Sequence, residues 1–75
     1  AVAVEKLINQ ERNRAARIFL TAKKTNDISK KRELLLSAQN ILAGLIEKYP
    51  SSEMAEKIKG YLNSVNHELD KIGDR

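Results

Sequence analysis

An all-α fold of three antiparallel helices is predicted by two features of the chain. Apolar residues recur at intervals of three and four along three separate stretches, and the connections between those stretches are about four residues or shorter. No stretch alternates with the period of two that a half-buried strand requires. The 75 residues make one small helical domain, and with 41% hydrophobic residues it can form a core without external staples. A chain of this size buries only about 60% of its unfolded surface.

The first helix is predicted from about Val4 to Lys24. Val4, Leu7, Ile8, Ala15, Ile18, Phe19 and Ala22 fall at helical spacing, and the stripe is interrupted by the polar run Glu11-Arg12-Asn13-Arg14. Thr25-Asn26-Asp27 forms a compact turn, with Asp27 or Ser29 as N-cap of the next element. The second helix is predicted from about Ile28 to Lys48. Leu35, Ala38, Leu42, Leu45 and Tyr49 alternate by three and four, and Leu34, Ile41 and Ile46 widen the stripe enough to meet two neighbouring helices. Gly44, costly inside a helix by about 1 kcal/mol against alanine, points to a close helix approach.

Pro50 forbids continuation and pushes Tyr49 toward extended geometry. The third helix is predicted from about 52 to 72, with Ser51 or Ser52 as cap and Glu53 in the first turn. Ala55, Ile58, Leu62, Val65, Leu69 and Ile72 form an uninterrupted seam, and Gly73 supplies the stop. Leu42 and Leu62 are expected at the centre, buried among all three helices. The opening Ala-Val-Ala-Val, in place of a methionine, suggests a fragment of a larger protein.

The composition excludes several chemistries. There is no cysteine, so disulfides, thiolate metal sites and cysteine nucleophiles are out. His67 is the single histidine, and the position four residues later is Lys71 rather than a second ligand, so no metal site is expected. No serine has a histidine partner at recognisable spacing and no glycine-rich phosphate loop exists, so neither catalytic nor cofactor residues are assigned. Glu53 and Glu56 fall where a helix dipole accounts for them. No apolar run reaches the roughly 20 residues of a membrane span.

The net charge of +4 is uneven. Residues 1–37 hold nine Lys/Arg against four Asp/Glu, and residues 38–75 hold five against six. Lys23, Lys24, Lys30, Lys31 and Arg32 crowd the first turn, interrupted only by Asp27, and the last three oppose the dipole of the second helix. That basic corner suits an acidic protein segment or a nucleic-acid backbone. Phe19 belongs to the core stripe and Tyr49 to a turn, so no platform for base stacking is expected and nucleic acid is the second choice.

The Ala38, Leu42, Leu45, Pro50 spacing resembles the second helix of a tetratricopeptide repeat, a helix pair of roughly 34 residues. The continuation through Tyr49, Pro50, Ser52, Ala55, Ile58 and Leu62 is similar to repeat junctions in bacterial cell-envelope proteins. Leu45 stands where that family usually has alanine, and its first-helix Trp-Leu-Gly-Tyr pattern is missing. The resemblance implies a protein-interaction scaffold in which the first and third helices line one surface and the second backs it. Arg14, Arg17, Thr21 and Lys24 with Lys57, Tyr61 and Ser64 then form a groove for an acidic or extended peptide, alongside adjacent repeats or domains of the parent protein. A free-standing three-helix bundle is the alternative architecture. The compartment stays open between bacterial periplasm or cell envelope and cytoplasm.

Overall fold

The computed structural model describes residues 2–73 and is all-helical: α1 spans Val2–Lys24, α2 Ile28–Lys48 and α3 Ala55–Gly73, with no strand among the described residues. α2 lies in the middle and packs closely on both neighbours, whereas α1 and α3 meet only briefly. The open seam between α1 and α3 is what gives the molecule a groove.

α2 begins where predicted because Asp27 stays extended (φ −76°, ψ 114°) and its carboxylate accepts from the Ser29 and Lys30 amides at 2.9 and 3.4 Å. Ahead of it, the Thr25 amide donates to Ala22 O at 3.1 Å and the Thr25 hydroxyl to Thr21 O at 2.7 Å, which satisfies carbonyls at the end of α1. α2 ends at Lys48, and Tyr49 leaves helical geometry (φ −131°, ψ 59°) immediately before Pro50.

α3 starts three residues later than the cap pattern suggests. Residues 49–55 are held instead by two tight i to i+3 bonds, Ser52 N to Tyr49 O at 3.2 Å and Ala55 N to Ser52 O at 3.0 Å. The Ser52 hydroxyl does cap, accepting from the Met54 amide at 3.1 Å, but the first α-type bond runs from Ile58 N to Met54 O. Glu53 therefore precedes the helix, and Glu56 is the acidic residue of its first turn. Gly73 is still helical, so the predicted stop lies outside the described residues.

One core joins the three helices. Ile8, Ala15, Phe19 and Ala22 meet Leu35, Ala38, Leu42 and Leu45, and Ile58, Val65 and Ile72 close it. Ala22 and Ala38 are fully enclosed, as expected where small side chains let helices approach. Three expectations are corrected. Leu62 and Leu69 are only half-buried against the core, because α3 carries its centre on Ile58, Val65 and Ile72, a strict seven-residue repeat. Val4 and Leu7 are 39% and 46% exposed, so the stripe on α1 is covered only from Ile8 onward. Gly44 marks no close approach, since a Cβ there would meet nothing within 4 Å.

No described helix is long and apolar enough to cross a membrane.

Candidate partner-binding surface

Charge collects along α1 and at the start of α2. Three side-chain ion pairs form among the described residues, each between positions one turn apart within one helix: Arg14–Glu11 at 3.3 Å on α1, and Lys59–Glu56 at 3.7 Å and Lys71–Glu68 at 3.4 Å on α3. Such exposed pairs contribute little, about 0–1 kcal/mol each. Arg17, Lys23, Lys24, Lys30 and Lys31 belong to none of them. The one acid in their midst, Asp27, has its carboxylate turned onto the α2 amides. These five cations are left to solvent or a partner.

Arg32 has a different job from the lysines beside it. Its Nη2 donates to Ile72 O at 3.3 Å in a half-buried bond between α2 and the last turn of α3. A cation there complements the negative end of the α3 dipole and ties up a carbonyl with no helical partner. Arg32 is thus a structural clamp within the basic corner. Lys23 is also partly engaged, its Nζ lying 5.4 Å from the centre of the Phe19 ring.

The seven residues expected to form one groove are divided by the structure. Arg14, Arg17, Thr21 and Lys24 are all exposed, and the Thr21 hydroxyl donates to Arg17 O at 3.0 Å. At 100° per residue their stripe is centred roughly 150° around α1 from the buried Ile8, Ala15, Phe19 and Ala22. They form an outward cationic stripe. On α3, Lys57 is exposed, Tyr61 packs half-buried against the core, and the Ser64 hydroxyl donates to Gly60 O at 3.3 Å.

The groove between α1 and α3 encloses about 320 Å³ and is lined by Phe19 and Lys23 on one side and Asn63, Ser64, His67 and Glu68 on the other. Of the seven expected residues only Ser64 lines it. Lys23, Asn63 and His67 can donate hydrogen bonds into this groove, Ser64 Oγ can accept one, and its one carboxylate, Glu68, is engaged by Lys71. That inventory suits an anionic or carbonyl-rich ligand. No group of three His, Asp or Glu among the described residues could hold a metal ion.

The opposite end of the molecule carries two further clefts that sequence reasoning missed. One of about 440 Å³ lies between Val4, Glu5 and Ile8 and the turn from Lys48 to Glu53. Another of about 290 Å³ runs beside Leu7, Ile41 and Gly44 and shares Lys48 and Tyr49 with the first. The only sequence hint of this hollow is the glycine, whose missing side chain leaves space rather than contact.

Comparison with protein-family models, with curated proteins and with solved structures returns no match for this chain.

Proposed function

We propose that this chain is a non-catalytic protein-interaction module of tetratricopeptide-like type that docks an acidic segment of a partner protein. One observation carries the reading: Arg17, Lys23, Lys24, Lys30 and Lys31 share one region of the molecule, and none has a carboxylate partner among the described residues. A field of one sign over a fixed scaffold attracts the opposite charge and speeds its capture. The repeat-like part of the proposal is supported by the burial of Ala38, Leu42 and Leu45 and by the turn at Pro50, the positions on which the resemblance rests.

The same cations suit a nucleic-acid backbone, but aromatic surface for bases is short. Phe19 lies beneath Lys23, and Tyr49 and Tyr61 are half-buried against the core. The two ligand classes separate in a fluorescence titration at about 0.15 M salt, using a Glu-rich peptide and mixed-sequence duplex and single-stranded oligonucleotides. Saturable peptide binding, lost on Arg17→Glu with Lys24→Glu and Lys30→Glu, is the expected result. Oligonucleotides should bind no tighter than the roughly 10⁻⁴–10⁻⁶ M of non-specific complexes. Sub-micromolar, sequence-dependent oligonucleotide binding would reverse the assignment.

A further inference from the structure

Arg12 is the cation without a structural explanation. It is half-buried, and its Nε is enclosed with no hydrogen-bond acceptor among the described residues. A guanidinium is charged at any accessible pH and accepts no hydrogen bond, so an enclosed donor there is costly unless an acceptor reaches it. Its own helix supplies none: Asn9, one turn away, has an amide oxygen, but it makes no bond to Nε. The positions three and four residues away are Ile8, Asn9, Ala15 and Ala16, and the adjacent Glu11 is taken by Arg14 at 3.3 Å.

Steps of four, three and four from Arg12 run through Ala16 and Phe19 to Lys23, the flank of α1 that borders the groove toward α3. α1 and α3 are parallel, each being antiparallel to α2, and Arg12 lies on this same flank three turns upstream of Lys23. Side chains on a helix lean toward its N-terminus. Lys23 follows that rule, its Nζ sitting over Phe19. The Lys23 cation therefore stands near the level of Phe19, and the same lean carries the Arg12 guanidinium toward Ile8, so the two charges lie about 16 Å apart along the axis.

We propose that the α1–α3 groove binds an extended acidic segment through two carboxylates four residues apart, one on Arg12 and the other on Lys23. Residues i and i+4 of an extended chain point to the same side and are about 13 Å apart, a span that two long, flexible cationic side chains can meet. The residue at i+2 shares that side and falls between the two cations, at the level of Ala16, so a small or apolar residue fits there. Arg12 supplies the planar fork that grips a carboxylate through two parallel bonds, and Lys23 supplies a point charge. Asn63 and His67 offer donors to the segment's backbone, and Ser64 Oγ an acceptor.

The inference rests on the reading that acidic protein segments dock here and adds the place and the spacing. Two extended peptides of equal composition test it, one carrying its two Glu residues at i and i+4 and the other at i and i+1. The first should bind at least tenfold more tightly to the wild-type chain. Arg12→Gln should lower its affinity tenfold or more and erase the preference between the peptides. Arg14→Gln, which removes the same charge from the outer stripe, should change affinity less than threefold. Arg12→Lys should retain the charge yet recover only part of the loss. Equal binding of both peptides, or equal effects of Arg12→Gln and Arg14→Gln, would overturn the groove and leave the outer cations as the docking surface. No binding of either peptide would overturn both readings. The peptide-spacing comparison uses the unaltered chain, so it stands even if Arg12→Gln unfolds.

Discussion

The two ends of this 42 Å molecule are built from similar residues and finished differently. At the end holding the α1–α2 turn, Asp27 caps α2, Thr25 closes α1 and Arg32 reaches across to Ile72 O. Ala22, Leu35 and Ala38 are fully enclosed beneath them. At the end holding the α2–α3 turn, Val4 and Leu7 remain substantially exposed, Gly44 faces space, and clefts of about 440 and 290 Å³ open beside Tyr49. Periodic apolar residues are present at both ends. Both ends are capped, and Leu20 and Ile28 are exposed at the first; what differs is that the core stripe of α1 is covered there, at Ala15, Phe19 and Ala22, and left open at Val4 and Leu7.

The contrast predicts how stability is distributed. The largest difference should come from leucine truncation. Leu35→Ala and Leu42→Ala remove fully enclosed side chains and should each cost about 2–5 kcal/mol, enough to threaten a fold whose total is about 5–15 kcal/mol. Leu7→Ala should cost less than about 1 kcal/mol, since nearly half of that side chain is already in water. Urea midpoints would compare them, and equal losses would mean that the open end is as well packed as the closed one.

Smaller effects follow from the caps. Asp27→Ala removes the acceptor for two amides and should cost about 1 kcal/mol, against a few tenths for Asp27→Gly. Arg32→Met keeps the stem and loses the bond to Ile72 O, and should cost about 1 kcal/mol while speeding amide exchange in the last turn of α3. The smallest shift has the opposite sign. Gly44→Ala places a methyl where nothing lies within 4 Å and should stabilise by about 0.5–1 kcal/mol, read as a raised melting temperature. A loss there would mean that the hollow beside Gly44 closes in solution.

α2 was legible to the residue because both its boundaries are written as side-chain chemistry, a capping aspartate before it and a proline after it. The start of α3 was less legible. Ser52 could be recognised as a capping residue, but not the tight turn that spends its hydroxyl on Met54 and delays the helix to Ala55. Helical periodicity assigns Val4, Leu7 and Leu62 to an inward face without stating what stands opposite each turn. Coverage depends on neighbouring helices, so Ile8 and Val65 are enclosed while Leu7 and Leu62 are not.

The groove was misplaced for a related reason. The spacing of Ile8, Ala15, Phe19 and Ala22 fixes the core face of α1, but which flank of that face borders α3 depends on the handedness of the bundle. That handedness is not contained in spacings of three and four. Ser64 was on the right side, whereas Arg14, Arg17, Thr21 and Lys24 belong to the other surface. Phe19 and Lys23, one turn apart, were the pair to follow into the groove.

Partner docking on the cationic side of a firmly closed end is tested most directly by following backbone amide resonances while an acidic peptide with Glu at i and i+4 is added. Shifts are predicted for Arg12 to Lys24, for Lys30 and Lys31, and for Asn63 to Glu68, with Val4 to Ile8 and Lys48 to Glu53 unmoved. Shifts confined to the clefts around Val4, Tyr49 and Glu53, with the cationic residues silent, would contradict it and assign recognition to the hollow end.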